Sequence, residues 1–156
     1  MNEKYLENIA AAEEYQDFIS DQLRKSEPCI VLMPYASQKY QYQKGESANG
    51  IEIKFDRKMK ETGNVYIETA EKTNPTNIYY VPSGIYRNDN SWLYLIGNYE
   101  QAFLFCKRHL QYLHTDTQHY ADRHIREVCT PTSKGFVYPI SIAVKFWCLH
   151  HFKFSK

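Results

Sequence analysis

The sequence predicts an α/β fold: one domain spanning residues 1–156, with a mixed central β-sheet flanked by helices. Three observations carry that expectation. The N-terminal stretch repeats apolar residues at helical steps, later segments alternate apolar and polar residues between turn formers, and no repeat, low-complexity tract or linker divides the chain.

From Met1 to about Lys25, Tyr5, Leu6, Ile9, Ala12, Ile19 and Leu23 recur at three- and four-residue steps among charged residues, without Pro or Gly. That period places them on one face of an amphipathic helix. Ser26-Glu27-Pro28 ends it, because the residue before a proline is pushed out of the helical region, and CIVLMPY then reads as a short buried strand. The turn formers of GESANG precede IEIKFD, whose strict alternation marks the second arm of a hairpin. NVYIETAEK alternates again, so IEIKFD and NVYIE are expected as neighbouring strands. SWLYLIGNYEQAFLFC breaks at Gly97-Asn98 into two apolar arms, a second hairpin, and KRHLQYLHTD suits a short helix. TPTSKGFVYPI reads as loop and strand, and periodicity leaves SIAVKFWCLHHFKF open between helix and strand.

Composition narrows the classes of function. With 156 residues and 15% aromatics the chain can bury a sizeable core. A formal net charge of +1 removes bulk attraction to a polyanion as an argument, although one face can still be basic. The four cysteines, Cys29, Cys106, Cys129 and Cys148, form no C-x-x-C pair, and there is no signal-peptide pattern and no apolar run of about 18 residues. These features predict a cytoplasmic protein of a reducing compartment that does not enter a membrane.

The chemistry centres on IEIKFD. On a strand, Glu52, Lys54 and Asp56 share one face while Ile51, Ile53 and Phe55 enter the core on the other. A carboxylate and an ammonium two residues apart are roughly 6.5–7 Å apart by the strand rise, so both can reach one phosphate and its metal. Mg²⁺ takes hard oxygen ligands and keeps several waters, so one or two carboxylates plus a phosphate oxygen suffice, and Mn²⁺ can replace it. Glu46, across the SANG turn, is the natural second acid. An exposed E-x-K is more commonly just solvated charge.

Elsewhere, Lys134 lies among Thr130, Thr132 and Ser133 in a loop suited either to binding backbone phosphate or to turning the chain. Cys106, His109, His114, His119 and His124 crowd together, but their spacing matches no structural zinc motif. Tyr40, Tyr42, Tyr79 and Tyr80 can stack on bases or fill strands.

The wider pattern, GIEIKFDRKMKETGNVYIETAEK followed by VPSGIYRNDNSWLYLIG, resembles the PD-(D/E)XK nuclease superfamily, and within it small phage-type members with E-x-K-x-D, then T-G-N, then a strand bearing a Glu. The resemblance covers about Gly45 to Gly97. It implies a restriction-endonuclease-like core and a metal-dependent deoxyribonuclease, a hydrolase of phosphodiester bonds. It implies Glu46, Glu52 and Lys54 as the catalytic set, with Mg²⁺ or Mn²⁺ held by Glu46 and Glu52. It also implies that a first-helix Glu can complete the site, Glu14 being the candidate, whereas the helix pattern reads Glu13 and Glu14 chiefly as its solvated face. Asp56 and Glu68 are supporting acids, and in a second register Asp56 and Glu68 themselves are the acids, although Ala70 then stands where a lysine is needed. Glu68 is otherwise a structural anchor for Lys54 through a cross-strand ion pair. Ser83 and Arg87, in the loop the resemblance places beside the site, join Lys134 as nucleic-acid contacts. The chain departs from the family where the upstream acid is usually Asp, since no Asp lies between Pro34 and Ile51. The expected partner is therefore DNA, branched or single-stranded among the options, and the alternative is a catalytically inactive nuclease-fold module that binds nucleic acid or a protein. By analogy with small nucleases that cut two strands, a homodimer using the aromatic tail Phe152 to Phe154 is a further expectation.

Overall fold

The computed structural model describes residues 3–25, 50–120 and 125–155. The expected strand CIVLMPY, the first arm of the hairpin before Gly50, and Glu46 lie outside the described residues.

Helix α1 (Glu3–Lys25) buries Tyr15, Ile19 and Leu23, one stripe at four-residue steps. That stripe packs on the first of two sheets, formed by β1 (Ile51–Phe55), β4 (Leu93–Gly97), β5 (Gln101–Cys106) and β8 (His150–Lys153) in the order β1-β4-β5-β8. β1 runs parallel to β4, whereas β4-β5 and β5-β8 are antiparallel. The second sheet, antiparallel throughout, has the order β3-β2-β7-β6, from β2 (Asn64–Glu71), β3 (Val81–Pro82), β6 (Arg126–Cys129) and β7 (Ser133–Pro139).

Two cores explain the apolar pattern. Ile51, Ile53, Leu93 and Leu95 meet α1, while Tyr94, Ile96, Phe103 and Phe105 join Val65, Ile67, Phe136 and Tyr138 of the second sheet. Both faces of β4 are thus covered, which is why LYLIG is apolar without alternation. Complete burial of a side chain such as Phe103 stabilises the fold by about 1.5–3 kcal/mol before entropy is counted.

The fold is mixed α/β as expected, but the described residues form two sheets in place of the single central sheet. β1 and β2 are not ladder neighbours. Between them the chain makes a four-residue helix, α2 (Met59–Thr62), buries Met59 and turns on Gly63 at φ 66°. β2 then finds its partner in β7, far along the sequence, with a bulge between Glu68 and Ala70. The Gly97-Asn98 hairpin forms as expected, with Asn98 Oδ1 accepting from the Glu100 and Gln101 amides at 2.8 and 3.0 Å. Helix α3 (Lys107–Tyr120) lies where KRHLQYLHTD placed one.

The undecided tail is both things in turn: helical turns over Ile140–Ile142 (α4) and Ala143–Trp147, the second of π type, then β8. Pairing with β5 directs Phe152 into the α1 core, and Phe154 packs edge-on to Phe18 at 5.2 Å. The aromatic tail expected at a dimer contact is therefore mostly core. Among the described residues no helix is long and apolar enough to cross a membrane.

Candidate active-site cleft

Among the described residues β1 stands at the end of the first sheet, and a cleft of about 910 Å³ runs along it. The pairs Glu52↔Tyr94 and Lys54↔Ile96 put these four side chains on one face, and all four line the cleft. The second sheet contributes Tyr66, Glu68 and Arg126, the loop after β3 contributes Arg87, and α1 contributes Glu13 and Gln16.

Glu52 is only 6% exposed, and its Oε1 is ion-paired with the Lys54 ammonium. A carboxylate so far removed from water requires such a partner, whereas Lys54 is more than a third exposed at the cleft wall. The E-x-K spacing thus places an acid at depth and a cation at its mouth.

Glu68 is held differently. Its Oε1 accepts from Ser83 Oγ and its Oε2 from Ser133 Oγ, both at 2.9 Å, and Ser133 Oγ also bonds the Tyr66 hydroxyl at 2.6 Å. The expected cross-strand pairing with Lys54 has no ladder behind it, because the two residues stand on different sheets. Ser83 has no exposed surface, so it orients Glu68 instead of touching a phosphate.

Asp56 closes the junction of the sheets: Oδ1 accepts from the Lys58 amide at 3.1 Å and Oδ2 from the Tyr66 amide at 2.9 Å. Burial raises its pKa above the ordinary aspartate value, against the opposing effect of those backbone bonds. Its position is in the cleft, and its bonds are those of a structural tie.

On α1 it is Glu13, not Glu14, that lines the cleft. Successive helical residues are turned by about 100°, so a one-residue difference changes the face. Glu14 is exposed and acts on Tyr99, whose hydroxyl pKa is raised by desolvation first and then by the Glu14 carboxylate.

Arg87 lies in the cleft with Nη2 3.4 Å from Glu71 Oε1 and 3.3 Å from Ser83 Oγ. Its loop is fastened by the nearly buried Lys107, which donates to Arg87 O and Asp89 Oδ1, each at 2.8 Å. The cleft also has basic residues absent from the expectation. Arg57 and Lys58 directly follow the E-x-K strand, a legible signal, whereas Arg126 comes from β6, whose short sequence shows no clear alternation. Lys134 does not line this cleft. It borders a second cavity of about 570 Å³ with Thr69, Tyr80 and Tyr86.

Among the described residues no three His, Cys, Asp or Glu side chains gather as a metal cage. His114 instead bonds the Tyr86 hydroxyl at 2.8 Å and Glu127 at 3.0 Å and stacks on Phe136. The described cleft lining contains carboxylates and neither His nor Cys, a donor set suited to a hard cation and not to zinc. No protein-family model, curated protein or solved structure matches this chain.

Proposed function

We propose that the protein is a Mg²⁺- or Mn²⁺-dependent nuclease that hydrolyses phosphodiester bonds in DNA, on a restriction-endonuclease-like core. The observation that carries the reading is one cleft holding the Glu52–Lys54 pair and also lined by Arg57, Lys58, Arg87 and Arg126. Acids at depth with cations around them suit a polyanion whose reacting phosphate also needs a hard metal.

Glu52 is the described ligand of choice, and Glu46 is assigned as the second acid. Mg²⁺ retains waters and binds phosphate oxygens, so two carboxylates suffice without a larger protein cage. Bound there, the metal supplies Lewis-acid polarisation and a more acidic water. The chain's own residues do the rest: Lys54 offsets charge developing on the phosphoryl oxygens, Arg87 and Arg126 hold flanking phosphates, and the serine-bound Glu68 braces the cleft wall.

The inactive-module alternative draws on the same ion pair, because Lys54 and Glu52 already satisfy each other without metal. Cleavage of supercoiled, branched and overhanging DNA with Mg²⁺ or Mn²⁺ decides between them. Lys54→Met and Glu52→Gln should each lower the rate by about 100-fold or more, the scale of losing one transition-state stabiliser. Glu52→Gln should also remove most of the calorimetric metal binding. Wild-type protein that binds DNA yet takes up no metal and cuts no substrate would establish the inactive module.

A further inference from the structure

Thr130 lines the cleft, and Tyr80 is bonded to it. The Tyr80 hydroxyl donates to Thr130 O, fixing the ring next to the cleft wall. Lys72 Nζ lies 4.3 Å and Lys134 Nζ 4.5 Å from the Tyr80 ring centroid, so both ammonium groups are held against the one ring. Glu71, the carboxylate adjacent to Lys72 in sequence, is directed to Arg87. Tyr79 meanwhile turns outward with 80% of its surface exposed, beside Ile78 at 81%.

Exposed aromatic surface next to paired cations has the chemistry of a strand whose bases are unstacked. A duplex presents its phosphates but hides the faces of its bases, whereas a single strand offers both. Fixed positive charge also distinguishes this surface from a purely apolar docking patch.

We propose that Tyr79, Lys72 and Lys134 form a subsite for unpaired DNA leaving the cleft, Tyr79 stacking on a base and the two lysines contacting adjacent phosphates. This inference rests on the nuclease reading and narrows its substrate to DNA with a single-stranded segment.

Fluorescence anisotropy with a labelled oligothymidylate and a blunt duplex, both in EDTA so that neither is cut, tests it. Tyr79→Ala should weaken oligothymidylate binding roughly five- to 150-fold, the range for one lost stacking contact, and Tyr79→Phe should restore it. Lys72→Gln with Lys134→Gln should flatten the slope of log affinity against log salt by about 1.4, at about 0.7 per phosphate contact. Duplex affinity should change far less. Tyr79 is exposed, so its replacement leaves the fold in place.

Oligothymidylate binding unchanged in Tyr79→Ala overturns the subsite and leaves the nuclease reading to the cleavage assay. Weakened binding, in a protein that cuts no DNA with Mg²⁺, supports the subsite and removes the nuclease. Absence of all DNA binding in EDTA overturns the subsite and likewise leaves the nuclease reading to the cleavage assay. Self-association abolished by Tyr79→Ala, with DNA affinity unaltered, would assign the surface to a second copy of the chain and overturn the proposal.

Discussion

Lys107→Met tests how the loop that carries Arg87 is held. The Lys107 and Asp89 side chains are 10% and 12% exposed, and the ammonium donates to Arg87 O and Asp89 Oδ1 at 2.8 Å and to Ser91 Oγ at 3.2 Å. Methionine preserves most of the apolar stem but removes all three donors. Asp89 Oδ2 already has no hydrogen-bond partner among the described residues, so the variant strands a nearly buried carboxylate whose remaining support is the Ser91 amide and hydroxyl. Removing one member of a buried pair costs roughly 3–5 kcal/mol, and the slight exposure here points to the lower end, about 3 kcal/mol. For a chain of this size that lowers the melting temperature by about 6–12 °C. Urea denaturation measures the loss directly. Adding Asp89→Leu should recover much of it, because an apolar pair replaces a buried ionic one at little net cost. With Arg87 no longer fastened, DNA affinity at low salt should fall as well. A loss below about 1 kcal/mol in Lys107→Met would refute the claim that this pair anchors the loop.

Two further outcomes follow from local geometry. Gly84→Ala, at φ +53° with a Cβ that would lie 2.1 Å from Glu68 O, should destabilise by more than about 2 kcal/mol in urea and disturb Glu68; a wild-type midpoint would contradict the close approach. Burial alone would raise the Asp89 pKa, but its bonds from Lys107 and Ser91 prevail and hold it below the ordinary value of 3.8. A depressed carboxylate pKa stabilises above the unfolded value and loses that contribution as pH falls through the folded one. The stability advantage of wild type over Asp89→Asn should therefore shrink on acidification below about pH 4, and an advantage independent of pH would remove the ionic explanation.

Local pattern alone determined much of this protein. The four-residue steps of Ile19 and Leu23, the alternation of IEIKFD and the Gly97-Asn98 break dictate a helix, a half-buried strand and a hairpin, because each depends on side-chain period and turn chemistry within a few residues. The same alternation put Glu52 and Lys54 on one face. Strand partnership was beyond its reach: β1 joins β4 and β2 joins β7, through contacts whose sequence separation leaves no local trace. Glu68 accordingly meets Ser83 and Ser133 instead of laddering against Lys54. The choice of Glu13 over Glu14 at the cleft depends on the rotation of α1 about its axis, which packing of Tyr15, Ile19 and Leu23 against the first sheet sets. Arg126 and the Lys72–Tyr80–Lys134 cluster exist only once the second sheet is assembled, because tertiary contacts alone bring those distant segments together.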